Sequence, residues 1–317
     1  MAEQKTSHIE RYMVAIGLVV LVALGWYYHA VVRATPSVGS GPAGPAVPAE
    51  PFAHVWGEGD TVLLGVGDSI TRGFGASAGR SYFELLQAND DAACPDMAGR
   101  DLRCVFPKLK AVNVAVNYST SVDHVQHQVP GIKPFGKDVK GIVVITSGGN
   151  DLLHPYGRKP PEDGAMYGCS IEQAKLWQPT LRKRLFGIVA RASARFPGGC
   201  HVFLANVYDP TDGVGDIHRA TVPLPEWPDG LEVLALVNRT IADVCAAYEK
   251  VHLVEIHALF LGHGMHCRDR ANRHYRPDDP HYWYFENLED PNDRGYDAVR
   301  RAFLLAMIEV FHKTRDE

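Results

Sequence analysis

The stretch Thr61-Val-Leu-Leu-Gly-Val-Gly-Asp-Ser-Ile-Thr-Arg-Gly73 decides the fold and points to the chemistry. Its apolar run over residues 62–66 predicts a buried parallel strand. The run ends in Gly67-Asp68-Ser69, and the residues that follow can open a helix. A serine at the carboxyl end of such a strand lies where open α/β sheets bind their ligands, and the first N–H groups of the next helix point at the same place. Taken alone, the tripeptide fits equally well a turn in which Ser69 only caps the helix.

The composition indicates a globular protein and excludes a polyanion-binding one. The chain has 317 residues, of which 46% are hydrophobic and 22% are charged, so a packed core is expected. The formal net charge is −5, and without a basic excess the chain is poorly suited to neutralise phosphates. We therefore expect no nucleic-acid partner.

Residues 13–32 form a segment that could span a bilayer. They contain no Asp, Glu, Lys or Arg, and a helix of this length covers about 30 Å, the thickness of the hydrocarbon core. Lys5 and Arg11 precede the segment, which favours a short cytoplasmic tail over residues 1–12 and a domain on the periplasmic or extracellular side. The alternative is a signal peptide that is cleaved near Val32-Arg33-Ala34.

The remaining chain divides into a linker and one domain. Residues 33–56 are rich in Pro, Gly and Ala and predict a tether, which leaves residues 57–317 as the folded domain. The chain has six cysteines, a number that suits an exported domain, and Cys94 with Cys104 is the most plausible disulfide pair. The alternative is that several of the six are buried thiols.

Strands and helices alternate along the domain, which predicts an α/β fold with a parallel sheet of about five strands and helices on both faces. The predicted strands are 62–66, 111–116, 141–146, 201–206 and 251–256. The predicted helices are 82–88, 121–127, 178–195, 233–248 and 295–312. Two long loops, 209–230 and 260–290, are expected to shape a site at the carboxyl edge of the sheet.

A second motif, Ile142-Val-Val-Ile-Thr-Ser-Gly-Gly-Asn-Asp151, has the same form as the first. It is a buried strand, then a glycine turn, then a polar residue at the sheet edge. Asn150 offers a side-chain NH₂ group that suits an oxyanion, although asparagine also serves in turns and caps. Two further motifs are Asn113–Ser121, at a strand end, and Asp290–Tyr296, before the last helix.

These motifs, in this order, resemble the SGNH hydrolases, also called GDSL esterases and lipases, over roughly residues 60–311. The resemblance implies a flavodoxin-like three-layer sandwich and acyl-ester chemistry without a cofactor. Ser69 is then the nucleophile. The oxyanion hole comprises the N–H groups of Ser69 and Tyr118 and the side chain of Asn150. The neighbouring residues that support this site are Asp68, Asn117 and Gly148.

The chain departs from the family pattern at two places. Tyr118 stands where the family usually has glycine, although a main-chain N–H can still donate from a tyrosine. In the last motif the family has Asp-x-x-His, whereas this chain has Asn287 in the aspartate position and Asp290 in the histidine position. The general base for Ser69 is therefore open.

Three interpretations of the base follow. In the first, a histidine of the preceding loop reaches Ser69; His281 fits best, because it ends a shifted Asp278-Asp279-Pro280-His281 motif. His263, His266 and His274 are further candidates. In the second, Asp290 itself accepts the proton, which requires burial to strengthen it as a base. In the third, the site binds without hydrolysing.

The sequence thus predicts an exported, membrane-tethered serine ester hydrolase that acts on acyl or acetyl esters of lipids or envelope glycans. The alternatives are a catalytically silent binding module on the same fold and an O-acyltransferase that modifies glycans. No metal is expected, because His257, His263, His266 and Cys267 fit no zinc spacing. Nor is a dinucleotide, because Gly65-Val66-Gly67 lacks the third glycine of that fingerprint.

Overall fold

The computed structural model describes residues 2–27, 37–153, 167–220 and 225–312. The chain divides into two compact units, Met1–Ser37 and Val38–Glu317. The first unit contains one helix, α1 (Ala2–Tyr27). Among the described residues, no helix combines the length and apolar character that crossing a membrane requires. Residues 28–32 of the predicted anchor lie outside the described residues, and the anchor stays a prediction.

The second unit is built on a five-stranded parallel sheet with the strand order β2-β1-β3-β4-β5. This is the order of flavodoxin-like sheets, so the predicted fold class is confirmed. The strand order reverses between β1 and β3, and ligands bind beyond the carboxyl ends of the strands at such a point. The strands are β1 (Thr61–Val66), β2 (Leu109–Asn113), β3 (Lys140–Thr146), β4 (Cys200–Ala205) and β5 (Val251–Val254).

Helices follow the strands in regular alternation. The remaining α-helices are α2 (Ser69–Arg72), α3 (Tyr82–Gln87), α4 (Leu102–Val105), α5 (Ser121–Asp123), α6 (Gly149–Leu153), α7 (Ile171–Ser193), α8 (Gly230–Ala246), α9 (His257–Phe260) and α10 (Asp293–Phe311). The short 3₁₀ segments are Glu50–Ala53, Pro95–Met97 and Ile217–Arg219, and a π-helical turn spans His124–Gln128.

Both faces of the sheet are buried, which makes the unit three-layered. Leu63 and Val144 lie in one core with residues of α3 and α10. Leu64 and Val143 lie in the other core with residues of α7 and α8. Because successive strand residues point to opposite faces, strands covered on both sides must be apolar on both faces, as β1 is over residues 62–66 and β3 is over residues 141–145.

The predicted elements are present, with shifted ends. The helix expected from residue 178 begins at Ile171, because Ser170 and Gln173 form a capping box there. Pro179, which favours a helix start when read from the sequence, lies inside α7. The second strand ends at Asn113 rather than at residue 116.

Residues 38–56, here called the N-terminal strap, belong to the folded unit, which corrects their assignment to the linker over residues 33–56. Ala43 is 1% exposed, and its N–H donates to Asp297 at 3.3 Å. The guanidinium of Arg294 donates to the carbonyl of Gly41 at 2.7 Å. Val47 and other apolar strap residues join the core beside α10. The domain therefore begins near residue 38, not at residue 57.

All six cysteines are free thiols, so the predicted Cys94–Cys104 disulfide is absent. The other four cysteines are buried. The alternative interpretation, buried thiols, describes these four.

Removing the strap should destabilise the domain. A chain that begins at residue 57 loses the burial of Ala43, Val47 and Phe52, of which Val47 and Phe52 are each worth about 1.5–3 kcal/mol. Compared with a chain that begins at residue 37, its melting temperature in a thermal scan should be lower by roughly 5 °C or more. Equal melting temperatures would show that the strap contributes nothing to the fold.

Candidate active site

The turn between β1 and α2 presents Ser69 at the carboxyl edge of the sheet. Asp68 caps α2 by accepting the Ile70 N–H at 3.1 Å. Gly67 has φ +148°, and a Cβ there would lie 2.6 Å from both the carbonyl oxygen and the Oγ1 of Thr146. Only glycine lets β1 approach β3 this closely, so the turn fixes where Ser69 emerges.

The second and third motifs converge on this turn. Ser119 Oγ donates to the carbonyl of Gly67 at 2.9 Å, and the Val116 N–H donates to the same oxygen at 3.1 Å. Asn150, buried in the first turn of α6, donates from Nδ2 to the carbonyl of Ser119 at 2.9 Å. The segments that carry the three expected oxyanion donors are thus hydrogen-bonded to one another.

Tyr118 adopts the left-handed conformation, with φ +66°, that glycine takes more readily. A tyrosine adopts this conformation at a cost of about 1–2 kcal/mol. The tyrosine ring is 62% exposed and lies on the surface beside the site.

The supporting residues behave differently from one another. Asp68 and Gly148 make defined contacts, since Gly148 has φ +113° and its carbonyl accepts the Leu152 N–H at 3.1 Å. Asn117 does not: its Oδ1 is buried without a hydrogen-bond partner among the described residues. A supporting role for Asn117 therefore stays a prediction.

Asp290 and Asn287 pair with each other. Asn287 Nδ2 donates to Asp290 Oδ2 at 2.7 Å, and the Asp290 N–H donates to Asn287 Oδ1 at 3.1 Å. Asp290 is 3% exposed. In the Asp-x-x-His pattern a carboxylate orients an imidazole; here an amide holds a carboxylate at the same spacing.

Asp68 and Asp290 place two carboxyl groups in one buried region. Burial raises the pKa of Asp68 to about 7, against the lowering effect of a 2.8 Å hydrogen bond from Thr146 Oγ1, and the charge of Asp290 raises it further. Neighbouring buried carboxyls resist simultaneous ionisation. The charge of Asp290, in the last motif, therefore affects the pKa of Asp68, the residue that precedes Ser69.

His281 is engaged elsewhere. Its Nδ1 lies 2.5 Å from Asp279 Oδ1, and a Cβ at Gly39 would lie 2.5 Å from its ring. Asp279 also accepts two hydrogen bonds from Arg294 at 2.7 Å. The carboxylate partner of His281 is therefore Asp279 and not the predicted Asp278, and among the described residues no hydrogen bond joins His281 to Ser69.

The other loop histidines are also occupied. His263 stacks on Trp283 with ring centroids 3.4 Å apart, and His266 Nε2 lies 2.9 Å from Asp216 Oδ1. His274 accepts from Arg273 at 2.9 Å. Across residues 37–153, 167–220 and 225–312, no histidine is hydrogen-bonded to the Ser69 hydroxyl. In the same ranges, no three His, Cys, Asp or Glu side chains are grouped to hold a metal ion.

Sequence reasoning missed a buried polar cluster formed by Ser119, His124, Gln128 and Ser147. Each of its residues is less than 9% exposed, and it lies directly against Gly67. The signal was available, because His124 and Gln128 are four residues apart in the segment that follows the Asn113–Ser121 motif.

Asp68 should make the stability of the domain depend on pH. The folded chain holds the Asp68 proton up to about pH 7, whereas an unfolded chain releases it near pH 4. The free energy of unfolding should therefore fall as pH rises through this window. Asp68→Asn keeps the helix cap and removes the titrating group. The melting temperature of this variant minus that of the wild type should therefore be larger at pH 8 than at pH 4, by roughly 5 °C.

Asp60→Asn is the matched control, because Asp60 is exposed and lies at the other end of β1. Its melting temperature should follow that of the wild type at every pH. Parallel curves for Asp68→Asn and the wild type would contradict the buried-carboxyl interpretation.

Several solved structures are similar to this chain. An α/β hydrolase from the metagenome of Lake Arreo, Spain, is 20% identical, with coverage of 80% of this chain and 97% of that one and a TM-score of 0.46. A phospholipase A1 from Streptomyces albidoflavus is 17% identical, with coverages of 80% and 99% and a TM-score of 0.45. An extracellular lipase from Streptomyces rimosus is 16% identical, with coverages of 78% and 99% and a TM-score of 0.44.

No curated protein matches the sequence. The model of the GDSL-like lipase/acylhydrolase family matches residues 66–298, which run from the end of β1 into α10. This range contains Gly67-Asp68-Ser69, the other three motifs and the paired residues Asn287 and Asp290. The chain belongs to the GDSL-like lipase/acylhydrolase family.

Proposed function

We propose that this protein hydrolyses acyl or acetyl esters, with Ser69 as the nucleophile and Asp290 as its proton acceptor. Membership of a lipase and acylhydrolase family supports the hydrolysis of an ester bond. The observation that carries the finer assignment is the position of Asp290. It is buried, it is held by Asn287, and its charge acts on Asp68, the residue before Ser69.

The reaction proceeds in two steps. The Ser69 hydroxyl attacks the ester carbonyl while its proton passes to Asp290, and the N–H groups of Ser69 and Tyr118 with Asn150 Nδ2 stabilise the oxyanion. The tetrahedral intermediate collapses to an acyl-enzyme as Asp290 protonates the departing alcohol. Water then attacks the acyl-enzyme by the same route, releasing the acid and restoring the serine.

The proposed role requires that burial strengthen the carboxylate as a base. In water a carboxylate is a weak base for a hydroxyl, but removal from solvent destabilises its charged form and raises its proton affinity. Asp290 is 3% exposed, and Asp68 adds a second acidic group to the same region. His281 pairs with Asp279 through Nδ1, as a triad imidazole would, but no hydrogen bond joins its Nε2 to Ser69 in the part of the chain that the structure describes.

Three single substitutions test the assignment with p-nitrophenyl acetate as substrate. Ser69→Ala should abolish turnover. Asp290→Asn removes the base at constant shape and should lower kcat by about 100-fold or more. His281→Ala is the control and should keep its activity. Loss of activity in His281→Ala together with normal turnover in Asp290→Asn would return the role to the histidine.

A double substitution, Asn287→Asp with Asp290→His, tests the same position by placing a histidine there in place of the carboxylate. It restores the Asp-x-x-His pattern and should give an active enzyme whose rate falls at low pH as the imidazole gains a proton. If only this variant turns over and the wild type does not, the natural site is a binding module. Product analysis with a glycan acceptor tests the O-acyltransferase alternative, which predicts acylated glycan.

We also propose that the protein is exported and held at a membrane by residues 13–32, with the domain on the periplasmic or extracellular side. The support is the run without Asp, Glu, Lys or Arg, preceded by Lys5 and Arg11. After cell fractionation, the full chain should stay with carbonate-washed membranes, whereas a chain that begins at residue 37 should be soluble. Release of the full chain by the carbonate wash would contradict the anchor.

A further inference from the structure

The buried polar cluster formed by Ser119, His124, Gln128 and Ser147 has no role in the reaction steps above. His124 is fully buried, and Gln128 is 8% exposed. Both lie on the π-helical turn His124–Gln128, a rare geometry that is frequent at functional sites. Burying so many polar groups is costly unless each finds a partner, so the partners indicate what the cluster does.

Gln128 forms hydrogen bonds with both main-chain polar groups of Gly67. The Gly67 N–H donates to Gln128 Oε1 at 3.0 Å, and Gln128 Nε2 donates back to the Gly67 carbonyl at 2.8 Å. The same Nε2 donates to Ser119 Oγ at 3.0 Å. One amide therefore fixes the peptide groups two residues before the nucleophile and ties them to the segment that carries Tyr118.

His124 links the other two segments. Its Nε2 lies 2.9 Å from Ser119 Oγ, and its Nδ1 lies 2.9 Å from Ser147 Oγ, three residues before Asn150. Burial lowers the pKa of His124 to about 3, so the ring is neutral and donates from one nitrogen while it accepts at the other. It holds the two hydroxyls at a fixed separation and makes no contact with Ser69.

We propose that Gln128 and His124 are positioning residues that hold the main chain of Gly67 and the segment around Ser119 and Ser147 in register for the oxyanion hole. This inference rests on the proposed function. The three expected donors come from three separate segments, at Ser69, Tyr118 and Asn150. The cluster links these three segments by hydrogen bonds. A misplacement of about 1 Å in such a site can cost 100-fold in rate.

Gln128→Met tests the role of Gln128, because it keeps the side-chain length and removes all three hydrogen bonds. With p-nitrophenyl acetate, kcat should fall by about 10- to 100-fold while KM changes by less than about twofold, since oxyanion donors act on the transition state. Gln126→Met is the matched control: Gln126 lies on the same turn and is exposed, and its variant should retain wild-type kcat.

His124 offers a second, independent variant in case Gln128→Met does not fold. His124→Gln supplies an amide that both donates and accepts and should retain more activity than His124→Leu. Equal losses in the two variants would show that volume, and not hydrogen bonding, is what the site needs.

A double variant separates positioning from a general structural role. In an Asn150→Ala background the oxyanion hole is already impaired, so adding Gln128→Met should cost less than the same change costs in the wild type. Losses that multiply in full would overturn the proposal.

Hydrogen exchange gives a readout that does not need turnover. The amides of residues 64–70 and 116–121 should exchange faster in Gln128→Met than in Gln126→Met, even if Ser69 proves to have no esterase activity. Unchanged exchange in both segments would overturn the positioning role, whereas faster exchange without any wild-type turnover would contradict only the proposed hydrolase.

Discussion

The close approach of Gly67 to Thr146 is the constraint on which the site depends. With no side chain at Gly67, the end of β1 can lie against the end of β3, where any Cβ would be 2.6 Å from the neighbouring strand. This contact sets the position of Ser69 relative to Asn150, because each follows one of the two strands directly. Thr146 then reaches Asp68, and Gln128 secures Gly67 from the opposite side. The nucleophile turn is thus held by contacts from several segments.

The fold, and the motifs that meet at the edge of its sheet, could be predicted from the sequence, because both depend on short-range patterns. Apolar strands that end in polar motifs indicate a doubly wound sheet. They also indicate which polar residues lie at the carboxyl edge of that sheet. The strap could not be predicted in this way. Its Pro-, Gly- and Ala-rich composition is typical of a linker, and its burial depends on Arg294 and Asp297, which are 253 and 254 residues away along the chain.

The base illustrates the same limit at a single position. Sequence proximity of a histidine to the last motif favours His281, yet loop geometry directs that ring to Asp279 and to the strap. The pair that occupies the family's Asp-x-x-His positions is Asn287 with Asp290. The pair keeps the three-residue spacing of that pattern. An amide now stands in the position of the aspartate, and a carboxylate stands in the position of the histidine. A pattern match can therefore be correct about where a residue lies and still leave its chemistry to be worked out.

The strap also has a consequence for how the domain is made. It is synthesised before β1, but two of its hydrogen-bonding partners, Arg294 and Asp297, lie in α10, close to the carboxyl end of the described residues. During translation, the Ala43 N–H therefore stays without its partner Asp297 until most of the domain has been synthesised. Contacts of such long sequence separation form late and slow folding. Until the strap docks on α10, its apolar residues are a surface through which nascent chains can aggregate.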